Sequence, residues 1–130
     1  MRQRSKIITM AVDVVNTVDA VSRIKALTRL GQGAYVCVSN VHMCMETLDS
    51  SKFRSVVNNA DLVVADGRPI FWCQKLLGFS QAGQIRGQNL TKSLCAESVG
   101  ANLNIGLYGG ATNEILDEVK DKLCSLFPSI

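Results

Sequence analysis

Residues 61–72 read DLVVADGRPIFW. Leu62 to Ala65 form a short, continuous apolar run, the pattern of a strand buried on both faces. Asp66-Gly67 ends the run. Pro69 then suits the first turn of a helix, where its fixed φ and missing N–H cost nothing. Ile70, Phe71, Cys73, Leu76 and Leu77 supply the apolar residues of that helix, and Gly78 stops it. A buried strand that ends in a carboxylate and runs directly into a helix is half of a βαβ unit.

The same alternation continues on both sides. Residues 7–15, IITMAVDVV, read as a strand or hairpin arm rich in Ile and Val. Thr17 is placed to cap the next helix, in which Val18, Val21, Ile24 and Leu27 recur at helical spacing before Gly31. AYVCV, 34–38, is a second buried strand, and VHMCMETL reads as helical. Asp49 or Ser50 restarts a short helix with Phe53, Val56, Val57 and Ala60 on one face. After a Gly- and Gln-rich loop, 78–88, a helix is expected over about 89–99. LNIGLYGG, 103–110, reads as a third buried strand, and a last helix covers about 112–126, with Ile115, Val119, Leu123 and Leu126 on one face. Short apolar strands alternating with amphipathic helices predict an α/β fold, a Rossmann-like parallel sheet flanked by helices, in a single domain over 1–130. The next strand would follow Phe127-Pro128-Ser129-Ile130, so either the domain is small or the chain is the front portion of a longer fold.

Composition narrows the function classes. Of 130 residues, 47% are hydrophobic and 19% charged, a globular balance rather than a disordered one. A net charge of +3 is too mild to argue for a nucleic-acid partner. Arg2, Arg4 and Lys6 form a small basic cluster, read as a solvated tail or a brush against an anionic membrane. No stretch has the length and uniform apolarity of a membrane span, and the first residues lack the apolar core of a signal peptide. Cys37, Cys44, Cys73, Cys95 and Cys124 are an odd number without a CxxC pair, which fits reduced thiols in a cytoplasmic protein. With one histidine, His42, read as partly buried and structural, no metal site is expected.

Ligands of open parallel sheets bind beyond the C-terminal ends of the strands. Three such ends carry small, polar or glycine residues: Ser39-Asn40, Asp66-Gly67 and Gly109-Gly110. Asp66 is the carboxylate among them, able to take a proton from a substrate hydroxyl, although Asp-Gly is also an ordinary turn. Gly109 and Gly110 precede a helix and let backbone N–H groups approach a phosphate, although any tight strand-to-helix turn favours glycine. Arg86, in QIRGQNL, can grip a diphosphate bidentately or stand solvated on the surface. Ser39 and Asn40 offer hydrogen bonds to a sugar or base, or else cap a helix. Phe71 and Trp72 read as core of the helix after Pro69, and a tryptophan near a site can stack on a sugar.

SNVHMCMETLDSSKFRSVVNNADLVVADGRPIFWCQKLLG, then IRGQNL, then LNIGLYGG resemble the bacterial WecG/TagA/CpsF glycosyltransferases, glycosyltransferase family 26. The resemblance runs from about Ile7 to Pro128. It rests on the ordered set Asn-Val-His-Met, Ala-Asp-Leu-Val, Asp-Gly-x-Pro and Arg-Gly-x-x-Leu. Val38 stands where the family often has Thr, and Gln88-Asn89 where it often has an Asp before Leu. The resemblance implies an inverting transferase without a known metal or cofactor requirement. Such enzymes move N-acetylmannosamine or a related sugar from a UDP-sugar donor to a polyprenyl-diphosphate-linked acceptor at the cytoplasmic membrane face, for cell-surface polysaccharides such as teichoic acid. It implies Asp66 as the general base, Asn40 in the substrate pocket, and Arg86 as a substrate or phosphate contact. Ser39, Gly67, Gln88, Gly109 and Gly110 complete the expected substrate-binding set. The family runs on past this length, with later strands and a basic membrane-contacting segment. The alternative expectation is therefore a truncated, non-catalytic nucleotide-sugar-binding module. Apolar surface left uncovered would favour a homo-oligomer.

Overall fold

The computed structural model describes residues 2–130. The chain divides into two compact units, Met1–Gly87 and Gln88–Ile130. In the first, IITMAVDVV does not form one strand. It is cut at Ile8-Thr9, so that β1 (Arg4–Ile7) pairs antiparallel with β2 (Met10–Asp13). Ile8 sits at the turn with φ +55, a left-handed conformation that strains a β-branched side chain. The turn is held from outside: the Asn58 side-chain N–H donates to the Thr9 carbonyl at 3.0 Å, and the Thr9 and Thr47 hydroxyls share a hydrogen bond of 2.9 Å.

α1 (Thr17–Arg29) is capped by Asn16 rather than by Thr17, the Asn16 side chain accepting from the Asp19 N–H at 2.9 Å. Gly31, at φ +64, closes its C-terminal end as expected. β3 (Val36–Ser39) and β4 (Leu62–Ala65) form a parallel pair in the register Val36↔Leu62 to Ser39↔Ala65. α2 (Val41–Asp49) and α3 (Ser51–Asn58) make the crossover between them, with Ser50 capping α3 through a bond from the Phe53 N–H. Every residue of β4 is buried. The core gathers around it: Ile7, Met10 and Val12 from the hairpin, Cys44 and Val57 from the crossover helices, and Ile70 from α4 (Arg68–Leu76).

The edge of β4 away from β3 is closed without a further strand. The Val63 N–H donates to the Asp13 carboxylate at 2.8 Å, and the Ala65 carbonyl accepts from the Ile85 N–H at 2.9 Å. Asp13 is fully buried. It also accepts two hydrogen bonds from Arg2, at 2.7 and 2.9 Å, and lies 3.8 Å from the Arg23 guanidinium. Arg4 Nε approaches to 3.9 Å, near enough for attraction but too far for a hydrogen bond, and is left without a partner. The Asp13 hydrogen bonds push the Arg2 pKa further up, whereas desolvation lowers that of Arg4. The basic cluster is therefore not a solvated tail. Two of its members neutralise a buried carboxylate, and Arg4 belongs to a strand.

α5 (Gly87–Ala101) lies in the second unit apart from its first residue, and α6 (Asn113–Leu126) is capped by Thr112. The Glu114 carboxyl, in the first turn of α6, is held below its ordinary pKa by a backbone hydrogen bond and the Thr112 hydroxyl. Residues 103–110 do not form the expected strand. An extended chain becomes a strand only when its backbone pairs with a neighbour, and three glycines in this segment raise the entropic cost of fixing it. Gly109 and Gly110, at φ +102 and +99, leave the β region altogether. The apolar face of α6 exists as read, but none of its residues is buried.

Replacing Asp13 with Ala leaves Arg2, Arg4 and Arg23 facing one another and orphans the Val63 N–H. The expected loss is about 3 kcal/mol in urea unfolding monitored by circular dichroism. Asp13→Asn, which retains an acceptor for Val63, should cost less.

Candidate functional site

The β3–β4 register carries the site. Continued by one residue, it sets Asn40 level with Asp66, and the Asp66 N–H donates to the Ser39 carbonyl at 2.9 Å. Two helices start from this edge. Asn40 caps α2, its side-chain oxygen accepting from the Met43 N–H at 3.0 Å, which leaves the amide N–H2 to face outward chemistry. Gly67 is the N-cap of α4 and provides no side-chain cap. The first-turn amides of Arg68 and Ile70 therefore remain donors without intrahelical partners, and Pro69 has no N–H to leave unsatisfied. The two N-termini concentrate partial positive charge around a half-buried carboxylate.

The third wall is the Gly- and Gln-rich loop. The Gly83 N–H donates to the Val15 carbonyl at 3.0 Å, and a Cβ on Gly83 would lie 3.0 Å from the Asn16 backbone, so any larger residue would push the loop and Asn16 apart by a few tenths of an ångström. Two residues later Ile85, buried, bonds to Ala65. Arg86 and Asp66 are the next residues after this bonded pair, and the exposed Arg86 is thereby brought to the same strand edge as Asp66.

Ser39 is fully buried, and its hydroxyl has no hydrogen-bond partner among the described residues. An unsatisfied buried hydroxyl is costly, and here it lies one residue from the edge. Ser39, Asn40, Asp66, Gly67 and Arg86 thus share one edge of the first unit. Gln88, Gly109 and Gly110 belong to the second unit, Gln88 in the first turn of α5 and the two glycines ahead of the Thr112 cap. That unit contains an open groove of about 460 Å³, lined mainly by aliphatic side chains such as Leu103, Leu107, Leu116 and Leu123. None of the expected site residues lines it.

Other sequence-based expectations shift. His42 is exposed and pairs with Glu46 at 3.0 Å along α2, so it is not a partly buried structural residue. Trp72 and Leu76 are on the surface of α4, because helical spacing turns Ile70 and Gln74 inward instead. Burial pushes the Cys37 and Cys44 thiols up, which suits packing better than nucleophilic chemistry. No group of three or more His, Cys, Asp or Glu side chains converges among the described residues. No described helix is long and apolar enough to cross a membrane.

The most important residue missed from sequence was Asp13, although a carboxylate inside IITMAVDVV was a visible signal. Gln74 was missed as well. Buried in α4, it donates to the Asp13 carbonyl at 3.1 Å and the Ser5 hydroxyl at 2.9 Å, fixing the helix that starts at the site.

Ligands of open α/β sheets bind beyond the carboxyl ends of the strands, and at that end this parallel pair gathers a carboxylate, two helix N-termini and a loop carrying Arg86. The chain belongs to the glycosyl transferase WecG/TagA/CpsF family, which it matches over residues 5–130. It is similar to a Bacillus spizizenii (strain ATCC 23059 / NRRL B-14472 / W23) protein, 24% identical over 99 residues. That protein is named N-acetylglucosaminyldiphosphoundecaprenol N-acetyl-beta-D-mannosaminyltransferase. The aligned stretch covers 76% of this chain and 38% of the relative, so the chain spans less than half of that protein's length.

Gly67 adopts φ +85 and ψ 158, a conformation essentially confined to glycine, while the space around it is open, the nearest atom to an added Cβ being 3.8 Å away. Gly67→Ala should therefore act through strain rather than collision. The expected cost is about 1–3 kcal/mol in urea unfolding.

Proposed function

We propose that this chain provides the donor-side part of an inverting glycosyltransferase that uses a UDP-sugar, N-acetylmannosamine or a close relative being the transferred sugar. The acceptor in this reading is a polyprenyl-diphosphate-linked glycan at the cytoplasmic membrane face, and the product feeds cell-surface polysaccharide synthesis. Both units are read as one glycosyltransferase-like domain. The observation that carries the reading is Asp66: half-buried, fixed by its own backbone N–H to Ser39, and flanked by uncapped helix amides and the Arg86 loop.

Asp66 takes the proton of the acceptor hydroxyl as that oxygen attacks the anomeric carbon from the face opposite UDP. The new C–O bond forms while the bond from the anomeric carbon to the diphosphate oxygen breaks, and UDP departs with the electron pair. The configuration inverts in one displacement. Negative charge growing on the diphosphate is met by Arg86 and the first-turn amides of α4, donors already oriented before reaction. Asn40, with its side-chain N–H2 uncommitted, provides hydrogen bonds for the sugar or base, and the buried Ser39 supports the edge through its carbonyl, which accepts from the Asp66 N–H.

The test is calorimetric titration with UDP and UDP-sugars, paired with a transfer assay, on the wild type and on Asp66→Asn. The base acts mainly in the transition state, so UDP affinity should stay within roughly twofold while transfer falls by at least roughly a hundredfold. Transfer surviving in the variant would remove Asp66 from the mechanism. UDP binding without transfer in the wild type would favour a non-catalytic nucleotide-sugar-binding module.

A further inference from the structure

α4 has two faces of different chemistry. Ile70 and Gln74 are buried, whereas Arg68, Trp72, Lys75 and Leu76 recur at the spacing of a single outward stripe. Trp72 is 54% exposed and Leu76 87%, the more exposed of the two despite being fully aliphatic. The helix sequence, RPIFWCQKL, contains no acid. Lys75 leans over the Phe71 ring, 5.4 Å from its centre, and donates to the Ser80 carbonyl, keeping its charge beside the apolar pair. Large apolar side chains left in water next to cations call for a partner that accepts both.

We propose that this face of α4 seats the protein on an anionic lipid surface, with Trp72 and Leu76 entering the headgroup–acyl boundary and Arg68 and Lys75 meeting the lipid charges. Tryptophan is suited to that boundary because its ring is apolar and its N–H polar. A second copy of this chain fits less well, because pairing two of these stripes, parallel or antiparallel, brings the Arg68 and Lys75 cations of one copy near those of the other with no acid on either helix. The helix begins at the Asp66–Gly67 edge, and Arg68 to Leu76 spans about 12 Å along its axis. Docking through α4 would therefore hold the carboxylate within about one short helix of the bilayer, where the diphosphate of a lipid-linked acceptor sits. The purpose of the contact rests on the transferase reading. The contact itself is measured without donor or acceptor, so either can fail alone.

Trp72 is the one tryptophan of the sequence, and its fluorescence reports the encounter directly. The intact chain is titrated with vesicles of phosphatidylcholine alone and of phosphatidylcholine with phosphatidylglycerol in equal parts. The emission should move to the blue on the mixed vesicles, stay in place on phosphatidylcholine, and return toward its starting position as salt is raised. Leu76→Glu, a change at a site too exposed to threaten folding, should weaken vesicle partitioning at least roughly tenfold. The pair Arg68→Ala and Lys75→Ala should remove the preference for the anionic lipid.

No shift on the mixed vesicles would overturn the proposal, as would an equal shift on both kinds. Partitioning unchanged in Leu76→Glu would place any membrane contact elsewhere. A blue shift that grows with protein concentration without lipid would assign the face to a second copy instead.

Discussion

A buried carboxylate governs the first unit. Asp13 brings together Arg2 ahead of the first strand, β1 through Arg4, α1 through Arg23, β4 through the Val63 N–H, and α4 through the Gln74 bond to its backbone carbonyl. A lone charge at this depth would be prohibitive, and it is tolerated because guanidinium groups and a backbone donor surround it. Arg2, Arg4 and Arg23 all remain partly exposed, so they give up less hydration than the acid does. The net contribution to stability is modest, but the contribution to geometry is large. Only one placement of β4 lets the Val63 N–H reach the carboxylate.

The candidate edge inherits that placement. Asp66 lies three residues beyond Val63, about 10 Å along an extended chain. Its direction is fixed from both sides: the Ser39 carbonyl accepts from its N–H, and the Ile85 N–H occupies the carbonyl of the preceding residue. Gly83 lets the loop pack close to Asn16, where a Cβ would come within 3.0 Å of its backbone. Asp66, Arg86 and the start of α4 thus meet through backbone constraints, so the side chains that would touch substrate need not hold the site together.

Much of this was legible in the sequence where local rules and tertiary packing agree. LVVA became a fully buried strand, Pro69 lies in the first turn of α4, and Gly31 adopts the left-handed cap. The Ser39-Asn40 and Asp66-Gly67 strand ends fall side by side because a parallel pair linked by two helices leaves little other choice. LNIGLYGG failed as a strand because apolarity does not supply a pairing partner. Trp72 was misread because an aromatic near a buried strand suggests core, whereas helical spacing decides which face it takes. The Arg2–Arg4 cluster resisted reading because its meaning depends on Asp13, and no local rule joins a terminal cation to a carboxylate across a hairpin.

The claim that one strand edge is a nucleotide-sugar site is tested most directly by titrating UDP into the 15N-labelled chain and following its amide resonances. The account predicts saturable shifts at Asn40 and Val41, at Asp66 to Ile70 except for Pro69, and at Ile85 to Gly87, with the Ile7–Met10 turn unmoved. Saturable shifts confined to the aliphatic groove of the second unit, or no shifts at all, would contradict it.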